Sequence, residues 1–139
     1  MEQHAYTAGL IDGEGTITLS KQHKNDKFRA PVVSVSSTTY ELLYYLKSNY
    51  GGNISKQKAY KTHHKQSWSW KTEYNNALSF LEKIRPYIRE PEKRRRTTLL
   101  LTKYKSLTPR NGRYNQLQVE GKLRFEAEFF GGDVGTPIP

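Results

Sequence analysis

The segment Tyr6-Thr7-Ala8-Gly9-Leu10-Ile11-Asp12-Gly13-Glu14-Gly15-Thr16-Ile17-Thr18-Leu19-Ser20 changes periodicity at its centre, and that change sets the fold. Residues 4–12 are short and mostly apolar, and they stop at Gly13-Glu14-Gly15, where glycine supplies the left-handed residue that ends helices. Residues 16–22 then alternate polar and apolar with period two, the pattern of a half-buried strand. Residues 31–37 repeat it, with Val33 and Val35 set against Ser34 and Ser36. A helix followed by two strands, joined by a charged loop through Asn25-Asp26, is the reading.

The same order recurs downstream. Thr38, with Glu41 three residues later, predicts a capping box before Leu42, Leu43, Leu46 and Tyr50, which recur at helical spacing up to Gly51-Gly52. A lysine-rich strand over 53–60, a loop with His63 and His64, and an alternating strand over 67–71 predict a second hairpin. Ala77, Leu78, Leu81, Ile84 and Ile88 mark a third helix that Pro86 and Pro91 bend or close. A helix over 92–105, a turn over 108–112 and a last helix over 116–130 follow, the last using Leu117, Leu123, Phe129 and Phe130 as its apolar face. Residues 1–130 form one domain in this reading, and 131–139 are a frayed tail. The fold class is α+β, with the order α-β-β-α-β-β-α, a four-stranded antiparallel sheet with helices on one face, and further C-terminal helices. The other face is polar and basic and is free to meet a ligand.

Composition narrows the partner. The 139 residues carry a formal net charge of +10 and contain no cysteine, which excludes disulfides, cysteine zinc sites and a thiol nucleophile. The charge is concentrated: residues 16–72 hold a net +8 and residues 83–113 a net +9, a density that suits a polyanion such as nucleic acid. No apolar run approaches a membrane span and no secretory leader is evident, so an intracellular protein is expected, in a bacterial or phage-infected cytoplasm or an organelle interior.

Two features of the first helix carry chemistry. Gly9 and Gly13 lie four residues apart on one face, where missing side chains let another backbone approach; with no second such helix in the chain, a two-fold homodimer is inferred, with Ala8, Gly9, Asp12 and Gly13 at its interface. Asp12 and Glu14 sit at the negative end of the helix dipole, in a protein whose partner is negative. Acids opposed by both fields point to a bound cation or to proton transfer.

The run Tyr6-Thr7-Ala8-Gly9-Leu10-Ile11-Asp12-Gly13-Glu14-Gly15 resembles the signature of the LAGLIDADG homing endonucleases, with Thr7, Gly13 and Glu14 as its departures. The element order through about residue 105 is similar to that family's core, and a single motif resembles its homodimeric branch. The resemblance implies a site-specific double-strand DNA endonuclease of intron homing, cutting a long pseudo-palindromic target and leaving 3′ overhangs. It implies that Glu14 holds a divalent metal against the scissile phosphate, with the Gly13 carbonyl as a further ligand, and that Asp12 is structural, capping the partner helix or its own turn. Magnesium suits a few oxygen ligands completed by water and phosphate, and manganese fits as well. The catalytic lysine that the family often places after a Pro-Tyr-aliphatic stretch falls here on Pro91, so Lys93 or Arg94 is its nearest replacement. Arg94-Arg95-Arg96 reads either as phosphate clamps or as a solvated helix face. Ser37 is the candidate for positioning water, or else a turn or cap residue.

On the sheet, Ile17, Leu19, Val33 and Val35 are core, leaving Thr18, Ser20, Gln22, Ser34 and Ser36 outward to read DNA. Lys24, Lys56, Lys58, Ser67, Ser69, Lys71 and Arg94 join them as DNA-binding candidates, some reaching bases and others only phosphates. Trp68 and Trp70 share a face and read as core, and His63-His64 reads as a loop pair rather than half a metal site. Two other functions stay open beside the endonuclease: an RNA maturase, and a catalytically silent DNA-binding module of the same fold.

Overall fold

The computed structural model describes residues 2–57, 65–109 and 113–131. Helix α1 (Glu2–Glu14) runs into strand β1 (Gly15–Ser20), which turns through a charged loop into β2 (Ala30–Ser37). Helix α2 (Tyr40–Tyr50) leads to β3 (Asn53–Lys56), and β4 (Trp68–Glu73) leads directly into α3 (Tyr74–Ile84). A 3-10 turn (Arg85–Tyr87) precedes α4 (Pro91–Leu99), which continues as a π turn (Leu100–Tyr104) and a 3-10 turn (Lys105–Leu107) before α5 (Gln116–Gly131).

The four strands form one antiparallel sheet in the order β1-β2-β4-β3, in which the two predicted pairs, β1–β2 and β3–β4, are joined through β2 and β4. Ile17, Leu19, Val33, Val35 and Trp70 point to one side and are buried against α1, α2 and α3 residues including Ile11, Leu43, Leu46, Leu78 and Leu81. The opposite face carries rows set by register: Thr16 opposite Ser34 opposite Lys71 opposite Asn53, and Ser36 opposite Ser69 opposite Ser55. Ala30 and Val32 are buried although neither joins the main core, so the start of β2 is closed on both faces.

Several expectations need correction. The capping box at Thr38 does not form, because α2 begins one residue later than expected: Thr39 is the N-cap and makes no side-chain cap bond, and its N–H donates to the Ser37 hydroxyl at 2.9 Å. Gln22 lies beyond the end of β1, its amide donating to the Ser20 carbonyl at 3.2 Å. β3 ends at Lys56, residues 58–60 of the expected strand lying outside the described residues, and β4 runs on to Glu73. The helix expected over 92–105 changes winding at Leu100; Thr97 and Thr102 donate their hydroxyls to the carbonyls four residues earlier, a competition that bends helices.

Helix α5 shows the largest difference. Its buried face is Lys122, Phe125, Glu126 and Phe129, while Leu117 and Leu123 are 78% and 51% exposed and Phe130 is also exposed. Two charged residues take inward positions because each finds a partner there. Lys122 donates to the Thr108 hydroxyl and stands 3.8 Å from the Tyr104 ring centroid, and Glu126 pairs with Arg29 at 3.1 Å. A polar-apolar periodicity cannot register such a face. Lys58, His63, His64, residues 110–112 of the turn and residues 132–139 of the tail lie outside the described residues. Among the described residues no helix is long and apolar enough to cross a membrane.

Candidate active site and nucleic-acid interface

The junction of α1 and β1 is built around Gly15. A Cβ there would lie 2.9 Å from the Ile11 Cα, so only glycine lets the strand leave the helix this tightly. The last turn of α1 is then tied to the start of α4. The Asp12 carboxylate accepts the backbone N–H groups of Arg89 (3.0 Å) and Glu90 (3.3 Å). Glu90 in turn caps α4, its carboxylate accepting from the Glu92 and Lys93 N–H groups at 3.2 and 2.7 Å. With Pro91 at the first helical position, this cap fixes the direction in which Lys93 leaves α4. Its ammonium donates to the carbonyls of Ile11 (2.9 Å) and Asp12 (2.7 Å), at the negative end of α1.

Glu14 ends this helix and is exposed, and among the described residues no hydrogen bond or ion pair engages its carboxylate. Of the two acids at the junction, one is thus spent on the fold and the other is left to solvent. The donor set suits a hard divalent cation: a free carboxylate and, one residue before it, a carbonyl of a helix's last turn. It is too small to hold such an ion alone, and among the described residues no group of three His, Cys, Asp or Glu side chains is arranged to bind metal. A cation there needs its remaining oxygens from water and from a phosphate.

The open face of α1 holds Gly9 and Gly13. A Cβ at either would meet nothing within 4 Å, so neither glycine is needed for packing inside the chain. Ala8, expected on the same face, is fully buried; at about 100° per residue it falls with Thr7 and Ile11 toward the chain's own core. Asp12 is half-buried and shares a cleft with Ala5, Gly9, Pro86 and Arg89.

The sheet's open face carries most of the expected DNA-reading residues. Ser34, Ser36, Ser69 and Lys71 lie on it, Lys56 is exposed at the end of β3, and Thr18 and Ser20 are half-exposed on β1. Lys24 is exposed in the β1–β2 loop, which Asp26 braces by accepting the His23 N–H at 2.9 Å. Gln57 was not foreseen. Its amide reaches across β4, donating to Ser36 Oγ at 3.0 Å and accepting from Ser67 Oγ at 2.8 Å. That is a polar residue just past a strand, which alternation does not single out.

The arginine run divides. Arg95 binds Glu92, which it holds below the usual carboxylate range, and the carbonyls of Glu128 and Phe129. Arg96 donates to the Ile17 carbonyl at 2.8 Å and lies 4.8 Å from the Phe129 ring centroid. Arg95 fastens α4 to α5, and Arg96 fastens it to β1 and α5. Arg94 is exposed and donates one N–H to the Ile88 carbonyl at 3.0 Å. The Ser37 hydroxyl accepts the Thr39 N–H in the turn that leads into α2.

Compared with known proteins, residues 7–96 match the family model described as LAGLIDADG endonuclease. Among solved structures, the homing endonuclease I-CvuI in complex with its target matches 72% of this chain and 64% of its own at 21% identity and TM-score 0.57. An archaeal intron-encoded homing endonuclease, I-Vdi141I, complexed with DNA, matches 93% of this chain and 82% of its own at 17% identity and TM-score 0.60. I-SmaMI bound to an uncleaved DNA target in the presence of calcium ions matches all of this chain and 52% of its own at 22% identity and TM-score 0.65. The likeness is one of fold, and this chain spans less than two thirds of the I-CvuI and I-SmaMI chains. No curated protein sequence matches.

Proposed function

Because the chain belongs to the LAGLIDADG endonuclease family, we propose that it is an intracellular, site-specific double-strand DNA endonuclease acting as a two-fold homodimer on a long pseudo-palindromic target and leaving 3′ overhangs. The observation that carries this reading is the division of labour at the end of α1: Asp12 and Lys93 hold the junction while Glu14 stays exposed and unengaged. A module that only bound DNA would gain nothing from a free carboxylate facing phosphate.

In the proposed complex the Gly9 and Gly13 faces of two copies meet, bringing two Glu14 carboxylates to the centre of the duplex. Glu14 and the Gly13 carbonyl hold magnesium, or manganese, and such an ion supplies charge neutralisation at the phosphate under attack. Lys93 orients the last turn of α1, and Ser37 lies at the inner end of β2 as the candidate for positioning water. The outward residues of the four strands, with Lys24, Lys56, Lys71 and Arg94 as cations, follow the duplex on either side. Half-sites related by the two-fold axis are the consequence. The test is cleavage in magnesium of the DNA made by joining the sequences that flank the chain's coding gene. A double-strand cut at the junction supports the proposal, and binding of that DNA without any cut overturns it in favour of a silent module.

A further inference from the structure

The end of the β1–β2 loop contributes to a cluster of rings that the endonuclease reading does not use. Phe28 and Tyr114 are in contact, with centroids 4.5 Å apart and planes tilted by 48°. Together with Tyr74 and Tyr104 they line a cleft of about 520 Å³ on the molecule, within the size range of small-ligand sites. Tyr104 is braced by the buried Lys122, whose ammonium stands against its ring. Burial raises the Tyr104 and Tyr114 hydroxyls above their ordinary range, so these rings stay neutral.

Charge completes the site. Asp26 also lines the cleft and keeps its negative charge, with one oxygen accepting the His23 N–H, while Glu126 is paired with Arg29. Lys27, exposed and 5.7 Å from the Phe28 centroid, has no ion-pair partner among the described residues. The cleft therefore offers flat neutral rings with one exposed cation, Lys27, and one acid, Asp26, at their edge.

Tyr74 supplies an independent sign that the site is used. Its φ of 54° makes it the one non-glycine residue with positive φ among those described, a conformation that a bulky side chain adopts only under constraint. The ring is 47% exposed, so core packing is not what the conformation secures. It falls where β4 turns without a loop into α3, and it leaves the ring in the wall of the aromatic cleft. Tyr74 also borders a second cleft at the uncapped start of α3, where Lys71 is opposed by Glu73. An anionic group is accordingly better placed on the Lys27 side.

We propose that the cleft between Phe28, Tyr74, Tyr104 and Tyr114 binds a nucleotide, its base stacked on these rings and its phosphate held by Lys27. Stacking is indifferent to base identity, and the cation selects the phosphate. The nucleotide is either free or displayed as an unpaired base of a nucleic acid; both present the same ring and phosphate. This site is separate from the Glu14 end of α1 and does not depend on cleavage.

The experiment titrates the full chain, in calcium and without cleavage, with three probes: AMP, a duplex ending in one unpaired 5′-phosphorylated adenosine, and the same duplex blunt. Saturable 1:1 binding of AMP supports a free-nucleotide site, and at least tenfold tighter binding of the overhang duplex than of the blunt one supports a nucleic-acid source. In either case Tyr74→Gly and Lys27→Ala should each weaken that binding about tenfold, the scale of one lost stack or phosphate contact. Tyr74→Gly relieves the positive φ, so it should melt no lower than wild type, which separates loss of the site from loss of the fold. No AMP binding together with equal affinity for the two duplexes overturns the proposal, as does binding that Tyr74→Gly leaves unchanged.

Discussion

The Lys93 ammonium stands 2.7 Å from the carbonyl oxygen of Asp12, closing the last turn of α1 from the first turn of α4. The Asp12 side chain completes the tie by accepting the two N–H groups that precede α4. The lysine's first role is therefore to hold the backbone from which Glu14 projects. Lys93→Met should lower unfolding stability by about 1–2 kcal/mol, through two lost charge-assisted bonds at a helix C-terminus, and should slow cleavage with DNA affinity unchanged. Asp12→Asn should cost a similar amount, about 1–2 kcal/mol, because the amide keeps only one accepting oxygen. Urea denaturation checks both; a Lys93→Met protein as stable as wild type would take the lysine out of this role.

Glycines in the first fifteen residues should respond differently to substitution. Gly9 faces open space, so Gly9→Leu should leave the monomer folded and abolish pairing of two α1 helices. Gly15→Ala meets the Ile11 backbone at 2.9 Å and should destabilise the chain itself. Sedimentation beside circular dichroism distinguishes the two. Wild type that sediments as a monomer both free and on DNA would contradict the dimer.

Lys122 provides a pH signature. Burial lowers its ammonium to about 8, well under the 10.5 of an exposed lysine, with Glu126 opposing the shift. Below pH 8 both folded and unfolded chains carry the charge and folding bears its full desolvation. Between 8 and 10.5 the unfolded chain binds more protons than the folded one, so stability rises with pH. The rise attributable to Lys122 should approach about 1.4 kcal/mol per pH unit at most. Tyr104 and Tyr114, raised by burial, act in the opposite direction only above pH 10. Lys122→Met should flatten the profile between pH 8 and 9.5 and melt no lower than wild type at pH 7. Parallel profiles for the two proteins would remove Lys122 as the cause.

The basic sheet face should make DNA binding strongly salt-dependent. Neutralising roughly six to ten phosphates per dimer predicts a log-log slope on the order of −5 to −9. Lys56→Ala, on an exposed lysine at the end of β3, should weaken binding across sequences and make the slope shallower by about 1. A flat salt response would place the binding face elsewhere.

Much of this was legible in the chain because its signals are local. The helix that stops at Gly13-Glu14-Gly15 and the alternation of Ile17, Leu19, Val33 and Val35 specify α1, β1, β2 and the buried side of the sheet without tertiary information. What stayed hidden depends on partners far along the chain. Lys122 and Glu126 face inward because Thr108, Tyr104 and Arg29 meet them. Arg96 is a fastener because the Ile17 carbonyl lies beside it, and Ala8 is lost to the dimer face because the core claims it. At the candidate site, composition and spacing treat Asp12 and Glu14 alike and the family resemblance alone separated them; the N–H groups of Arg89 and Glu90 give the physical reason on the Asp12 side.

The role of Glu14 is the central claim, and one comparison tests it most directly: nicking and linearisation of a target plasmid in magnesium by wild type and Glu14→Gln, beside DNA binding by both in calcium. The substitution keeps the side chain's volume and removes its charge, so cleavage should fall by at least about 100-fold as transition-state stabilisation at the phosphate is lost. Binding should be preserved or strengthened, because a negative charge facing phosphate is gone. Equal cleavage by the two proteins would contradict the account.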